Sequence, residues 1–212
     1  MLKRNPFIVP SAPVLRAEPP TSADWIHEVK FDGFRVQLHK DADEVIIFTR
    51  NGHDVTRRYP DLRDALMSLP CNKAIIDAEL TACDSEGRPD FVGLMRRSKE
   101  LCVWAFDLLR EDETDLRPKP LWERKRALQR LVLEADEHIL RFSDDFDDPI
   151  KLLEVAEQWK LEGIVSKKLH QPYKSGKNLG WVKVKTRAWR EANKDRWELF
   201  LPSTPSPNVP GR

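Results

Sequence analysis

The amino-acid sequence predicts an α+β fold, with antiparallel sheets carrying helices on their outer faces over roughly residues 5–190. Three observations predict it. Apolar and polar residues alternate in short runs, as in Phe34, Val36 and Leu38 against Arg35, Gln37 and His39, which is the period of a half-buried strand. The pair Asp32–Gly33 lies between two such runs and is a strong hairpin signal. Further on, Leu121, Leu128, Leu131 and Val132, and then Leu152, Leu153, Ala156 and Trp159, fall at helical spacing.

Taken in order, residues 1–24 hold Pro6, Pro10, Pro13, Pro19 and Pro20 and are expected to run extended over the surface. "WIHEVK", "FRVQLHK" and "EVIIFTR" read as strands. "YPDLRDALMSL" reads as a short helix opened by Pro60. "KAIIDAELTACD" and "LCVWAFDLL" are strands, the second more deeply buried. The two amphipathic helices follow, and "EGIVSKK" and "WVKVK" close the domain, placed at 25–190, as strands. After Lys185 comes "TRAWREANKDRWELF", with basic residues enough for a short helix; residues 191–212 form a polar tail, whose end "LPSTPSPNVPGR" has the composition of disorder.

Bulk properties narrow the class. At 212 residues, 40% hydrophobic and 33% charged, the chain can bury one substantial core. It has no apolar run of membrane-spanning length and no signal-peptide pattern. Cys71, Cys83 and Cys102 are widely spaced and read as reduced thiols of a cytoplasmic protein. The net charge of +1 says little, but its distribution is uneven: from Lys160 to Arg190 nine Lys/Arg stand against one acid, Glu162. Residues 134–148 run the other way, with Asp136 and Glu137 among seven acids. A local basic patch on a neutral protein suits a polyanion site, although a solvated charged face gives the same count.

Strand alternation then groups the chemistry. In "AIIDAELTA", Glu79 shares a face with Ile75, Asp77 and Thr81, opposite Ile76, Ala78 and Leu80. Lys183 and Lys185 share one face of "WVKVK" and would repel each other unless an anion lies between them. In "CVWAFDLL", Trp104 and Phe106 project together with Asp107 on the other side, Trp104 reading as plain core. A lysine, an arginine, two carboxylates, an aromatic ring and two more lysines are the parts covalent nucleotidyl transfer needs. An amine attacks phosphorus only when deprotonated, and nearby cations and burial favour that form. Cations on the α-phosphate stabilise transition-state charge. A carboxylate can hold a divalent metal that neutralises phosphates.

"KFDGFR", Lys30 to Arg35, resembles the K-x-D-G-x-R motif of the covalent nucleotidyltransferases: ATP-dependent DNA ligases, RNA ligases and mRNA capping enzymes. "DAEL", "VWAFDLL", "EGIVSKK" and "WVKVK" are similar to the motifs that follow it in that superfamily, and five matches in the right order over residues 25–185 make coincidence negligible. "DLRPKPLWERKRAL" and "PYKSGKNLGWVKVK" most resemble the ligase domain of bacterial end-joining DNA ligases.

The resemblance implies an ATP-grasp-like nucleotidyltransferase domain and a role for each matching residue. Lys30 would be the nucleophile that takes AMP from ATP. Glu28, or its neighbour's backbone, would meet the adenine. Arg35 and Arg50 would hold the nucleotide sugar or the nick phosphate, Glu79 the ribose, and Phe106 would stack on the base. Lys183 and Lys185 would hold the α-phosphate, with Lys177 near it. Glu162 and Asp32 would hold Mg²⁺ or Mn²⁺ or orient Lys30. The implied substrate is nicked or broken double-stranded DNA, handled in the cytoplasm by a nucleoid-associated monomer, with other end-joining or repair proteins as partners. Only 27 residues follow Lys185, where family ligases continue into an OB-fold carrying a further phosphate-contacting motif. A nick-binding module that needs a partner's OB domain is therefore the alternative, with an inactive relic and an RNA ligase-like or GTP-using enzyme behind it.

Overall fold

The computed structural model describes residues 6–83, 101–134 and 139–193. Its strands are β1 Ser11–Leu15, β2 Trp25–Lys30, β3 Phe34–Asp41, β4 Glu44–Thr49, β5 Lys73–Ala82, β6 Leu101–Glu111, β7 Thr114–Asp115, β8 Leu140–Phe142, β9 Asp145–Phe146, β10 Gly163–Lys168 and β11 Gly176–Lys185. Its helices are α1 Pro60–Met67, α2 Leu121–Leu133, α3 Pro149–Gln158 and α4 Arg187–Ala192.

The strands form two sheets, in the orders β1-β11-β10-β2-β9 and β4-β3-β5-β6-β7, with β8 alongside β6. Most pairings are antiparallel; β1 on β11 and β8 on β6 are parallel. The α+β expectation holds, and the helices cover outer faces. α1 and α2 close the large apolar core over Ile76, Ala78, Leu80 and Ala105. α3 lays Leu152 and Ala156 on Ile164, Val182 and Val184 of the first sheet. Among the described residues no helix is long and apolar enough to cross a membrane.

Several expectations change. Asp32–Gly33 does not make a hairpin: β2 pairs with β10 and β9, while β3 pairs with β4 and β5. The turn carries the chain from one sheet to the other. Glycine is needed because a Cβ at Gly33 would fall 2.3 Å from the Leu80 carbonyl oxygen; close backbone approach has overridden turn chemistry. The N-terminal segment is likewise part of the fold. Ser11 is fully buried, Ser11–Leu15 adds a strand, and Gln37 fixes the chain by two 2.9 Å hydrogen bonds with the backbone of Ile8.

β6 is bulged at Phe106, since Ala78 pairs with Ala105 and Asp77 with Asp107. The extra residue shifts the alternation, so Asp107 stands opposite Asp77 rather than on the far face. Trp104, expected to be core, is half-buried and stacks on Phe31 with centroids 4.3 Å apart. The same β5–β6 pairing brings Cys83 and Cys102 together as a disulfide, against the expectation of reduced thiols, and Cys71 is free. Of the tail, residues 191 and 192 end α4 and Asn193 follows as its C-cap; Lys194, Arg196, Trp197 and the rest, like Asp136 and Glu137, lie outside the described residues.

Candidate active site

A cleft of about 520 Å³ opens where the chain crosses between the sheets, and Lys30, Arg35, Glu79, Phe106, Glu162 and Lys183 all line it. Sheet register explains the convergence. Gly163 is paired with Lys30 on one side and Lys185 on the other, so the two lysines share a row across three strands. The next row is Glu28, Val165 and Lys183. Gly163 can have no side chain there, because a Cβ would meet the Val184 carbonyl oxygen at 1.9 Å.

Glu162 enters this row from the loop before β10. One carboxylate oxygen accepts from Lys30 Nζ at 2.7 Å and the other lies 3.1 Å from Lys185 Nζ. All three side chains are largely buried. The Lys183 amine is pushed below the ordinary lysine range, first by burial and then by the charges of Lys30 and Lys185. The expected repulsion on this strand face is therefore present, with three ammonium groups around one carboxylate.

On the opposite wall Arg35 lies along β3. It donates two hydrogen bonds to Asp77, at 2.9 and 2.6 Å, and one to the Ser11 carbonyl, while its guanidinium sits 5.3 Å from the Phe106 ring centroid. Tyr173 completes the support by donating to Asp77 at 2.7 Å and accepting from the Ser11 amide. Burial pushes the Glu79 carboxyl up to about 7; Lys30 and Arg35 draw it down by less than burial raises it. Phe106, re-aimed by the bulge, offers a ring to the cleft and meets Trp181 edge-on.

Glu28 lines the cleft floor, yet its carboxylate is saturated. Lys125 donates at 2.9 Å, Lys167 at 2.8 Å and the Ser143 hydroxyl at 3.1 Å. Burial opposes its ionisation, but the two lysines outweigh that and hold the carboxyl below its usual range. Arg50 is exposed at the cleft rim. Three expected residues are not lining residues of the cleft. Lys185 stands just behind Glu162. Lys177 is exposed on β11, beside Ala12 of β1. Asp32 accepts a hydrogen bond from the Trp189 indole at 3.3 Å.

Lys125, Lys167, Ser143 and Tyr173 were missed. A signal existed for two of them. Lys125 falls on the buried stripe of α2, four residues after Leu121 and three before Leu128, and Lys167 alternates with Gly163 and Val165. Ser143 and Tyr173 sit in irregular segments, where no periodicity predicts facing.

Among the described residues no group of three His, Cys, Asp or Glu side chains could cage a metal. The one carboxylate amid the lysines, Glu162, fits a divalent ion that keeps most of its coordination for phosphate oxygens and water. Asp32 gives one of its oxygens to the Trp189 indole.

The family model for the ATP dependent DNA ligase domain matches residues 15–185. The chain is 37% identical over 191 residues to the multifunctional non-homologous end joining protein LigD of Pseudomonas aeruginosa, covering 87% of this chain and 23% of that one. It is 35% identical over 170 residues to a probable DNA ligase of Mycobacterium sp. strain KMS, covering 76% and 33%. The chain thus spans about a quarter to a third of the length of these relatives. A solved mycobacterial DNA ligase D complexed with ATP and MES superposes with a TM-score of 0.74 at 26% identity, covering 84% of this chain and 60% of that one.

Proposed function

The chain belongs to the ATP dependent DNA ligase domain family, and on that premise we propose that it is an adenylyltransferase that charges Lys30 with AMP and joins nicked or broken duplex DNA during repair. The observation that carries the reading is the Lys30–Glu162 pair at 2.7 Å on the floor of the cleft, with Lys183 and Lys185 beside it.

In the reaction, Lys30 Nζ attacks the α-phosphorus of ATP, a nitrogen–phosphorus bond forms and the bond to pyrophosphate breaks. Glu162, already hydrogen-bonded to the amine, is placed to accept its proton. Lys183 and Lys185 stabilise charge gathering on the α-phosphate oxygens. The base would lie against Phe106, with the ribose toward Glu79 and Arg35, and Arg50 at the rim facing DNA. With the Glu28 carboxylate saturated by Lys125, Lys167 and Ser143, the backbone near it is the better partner for adenine. Mg²⁺ or Mn²⁺, when bound, would neutralise phosphate charge, and Glu162 is the residue to hold it.

The test is incubation with α-labelled ATP and a divalent metal, beside Lys30→Ala, followed by a denaturing gel. Label should stay on the wild type through denaturation and be absent from the variant. Equal labelling of both proteins, or of neither, would overturn the reading. Sealing of a nicked duplex by the labelled protein is the second step.

A further inference from the structure

Trp189 sits on α4, beyond the last of the sequence motifs, and its contacts are with charged groups of the site. The Lys185 amine lies 3.6 Å from the indole ring centroid, within cation–π range. The indole Nε1–H donates to Asp32 Oδ2 at 3.3 Å. Trp189 belongs to none of the apolar clusters formed by the described residues, so core packing does not account for its place.

The helix carrying it is fixed at its first turn. Glu157 of α3 accepts from the backbone amides of Arg187 and Ala188 at 2.7 and 2.8 Å. Thr186 accepts from the Trp189 amide and donates to the Leu161 carbonyl at 2.7 Å, next in the chain to Glu162. The contacts close a circuit. Lys30 is held by Glu162, Glu162 by Lys185, Lys185 by the Trp189 ring, and Trp189 by Asp32, two residues from Lys30.

We infer that Trp189 is a positioning residue for the phosphate end of the site, fixing the direction of the Lys185 amine and of the turn that follows Lys30. This rests on the adenylyl-transfer reading above. A ring face attracts an ammonium group electrostatically without a carboxylate's full charge, so Lys185 is oriented while it still serves Glu162. The indole N–H likewise fixes one Asp32 oxygen.

The experiment is single-turnover formation of the Lys30 adduct over a range of ATP concentrations up to saturation, in wild type, Trp189→Phe, Trp189→Ala, Asp32→Ala and the Asp32→Ala/Trp189→Phe double variant. Trp189→Phe keeps a ring over Lys185 and loses the hydrogen bond, for an expected slowing of about threefold. Trp189→Ala loses both contacts, for about tenfold. The KM for ATP should stay within about twofold, because the effect is on orientation and not on binding. The double variant should be no slower than Asp32→Ala alone, since each change removes the same hydrogen bond. Trp159→Ala, at an exposed tryptophan, is the control and should match wild type. A purely structural Trp189 would give multiplying effects in the double variant, and that result, or unchanged rates, overturns the inference alone. A wild type that forms no adduct overturns the adenylyl-transfer reading and this inference with it.

Discussion

Glu79 should make the protein less stable as pH rises from about 4.5 to 7. Its carboxyl is half-buried on β5, opposite Arg35 on one neighbouring strand and Trp104 on the other. Burial pushes it up to about 7 from the ordinary 4.5. The native state therefore holds the proton more tightly than the unfolded chain does. Stability contributed by that proton is fully present below the unfolded value and is lost as pH passes through the folded one. The difference of about 2.5 pH units, at about 1.4 kcal/mol each, amounts to about 3.5 kcal/mol, of which about 3 kcal/mol is lost between pH 4.5 and 8. The assay is urea unfolding of wild type and Glu79→Gln at a series of pH values between 4.5 and 8. Other titrating groups cancel in the difference, and glutamine imitates the protonated acid. The stability of Glu79→Gln relative to wild type should rise by about 3 kcal/mol across that window. A difference that stays flat with pH would refute the argument, since it would mean that Lys30 and Arg35 compensate fully for burial.

Two further outcomes follow from the supports of the cleft. Arg124 and Asp107 are fully buried and joined by two hydrogen bonds at 2.7 and 2.9 Å; Arg124→Met strands the carboxylate and should cost about 3–5 kcal/mol in urea unfolding, with much of it recovered in Arg124→Met/Asp107→Leu. Gly33→Ala puts a methyl group 2.3 Å from a backbone oxygen, so the turn between Lys30 and Arg35 must move. Its labelling by ATP should fall by at least about tenfold, because small displacements at a reacting centre carry large rate costs.

How much of this was legible in the sequence depended on which rule governed each residue. Period-two alternation placed Glu79, Asp77, Lys183 and Lys185 on the correct faces, because each lies in a long strand with an apolar core on its other side. It failed at Asp107, where one inserted residue in β6 shifts the phase, and no composition marks that bulge. Asp32–Gly33 was legible as a break and illegible as a crossing. Hairpin and crossover differ in strand partners tens of residues away, which local turn propensity does not encode. Ser11–Leu15 was missed for the same reason, since its ladder partner among the described residues is β11, more than 150 residues further along the sequence.

The polar groups missed by sequence reasoning share a physical cause. Lys125 and Tyr173 stand outside the cleft and Lys167 lines it, but all three satisfy other polar groups there. A buried Glu28 beneath the cleft would be costly to ionise without Lys125 and Lys167, and Asp77 could not hold Arg35 rigidly if Tyr173 did not take part of its capacity. Motifs name the groups that act, while burial decides what must surround them. Around Glu162 that supply of charge is deliberately incomplete. Lys30 and Lys185 pair with one carboxylate, and Lys183 nearby is depressed first by burial and then by the charges of those two lysines. An incoming phosphate would relieve the surplus, so the repulsion among these lysines favours the anion the cleft is proposed to bind.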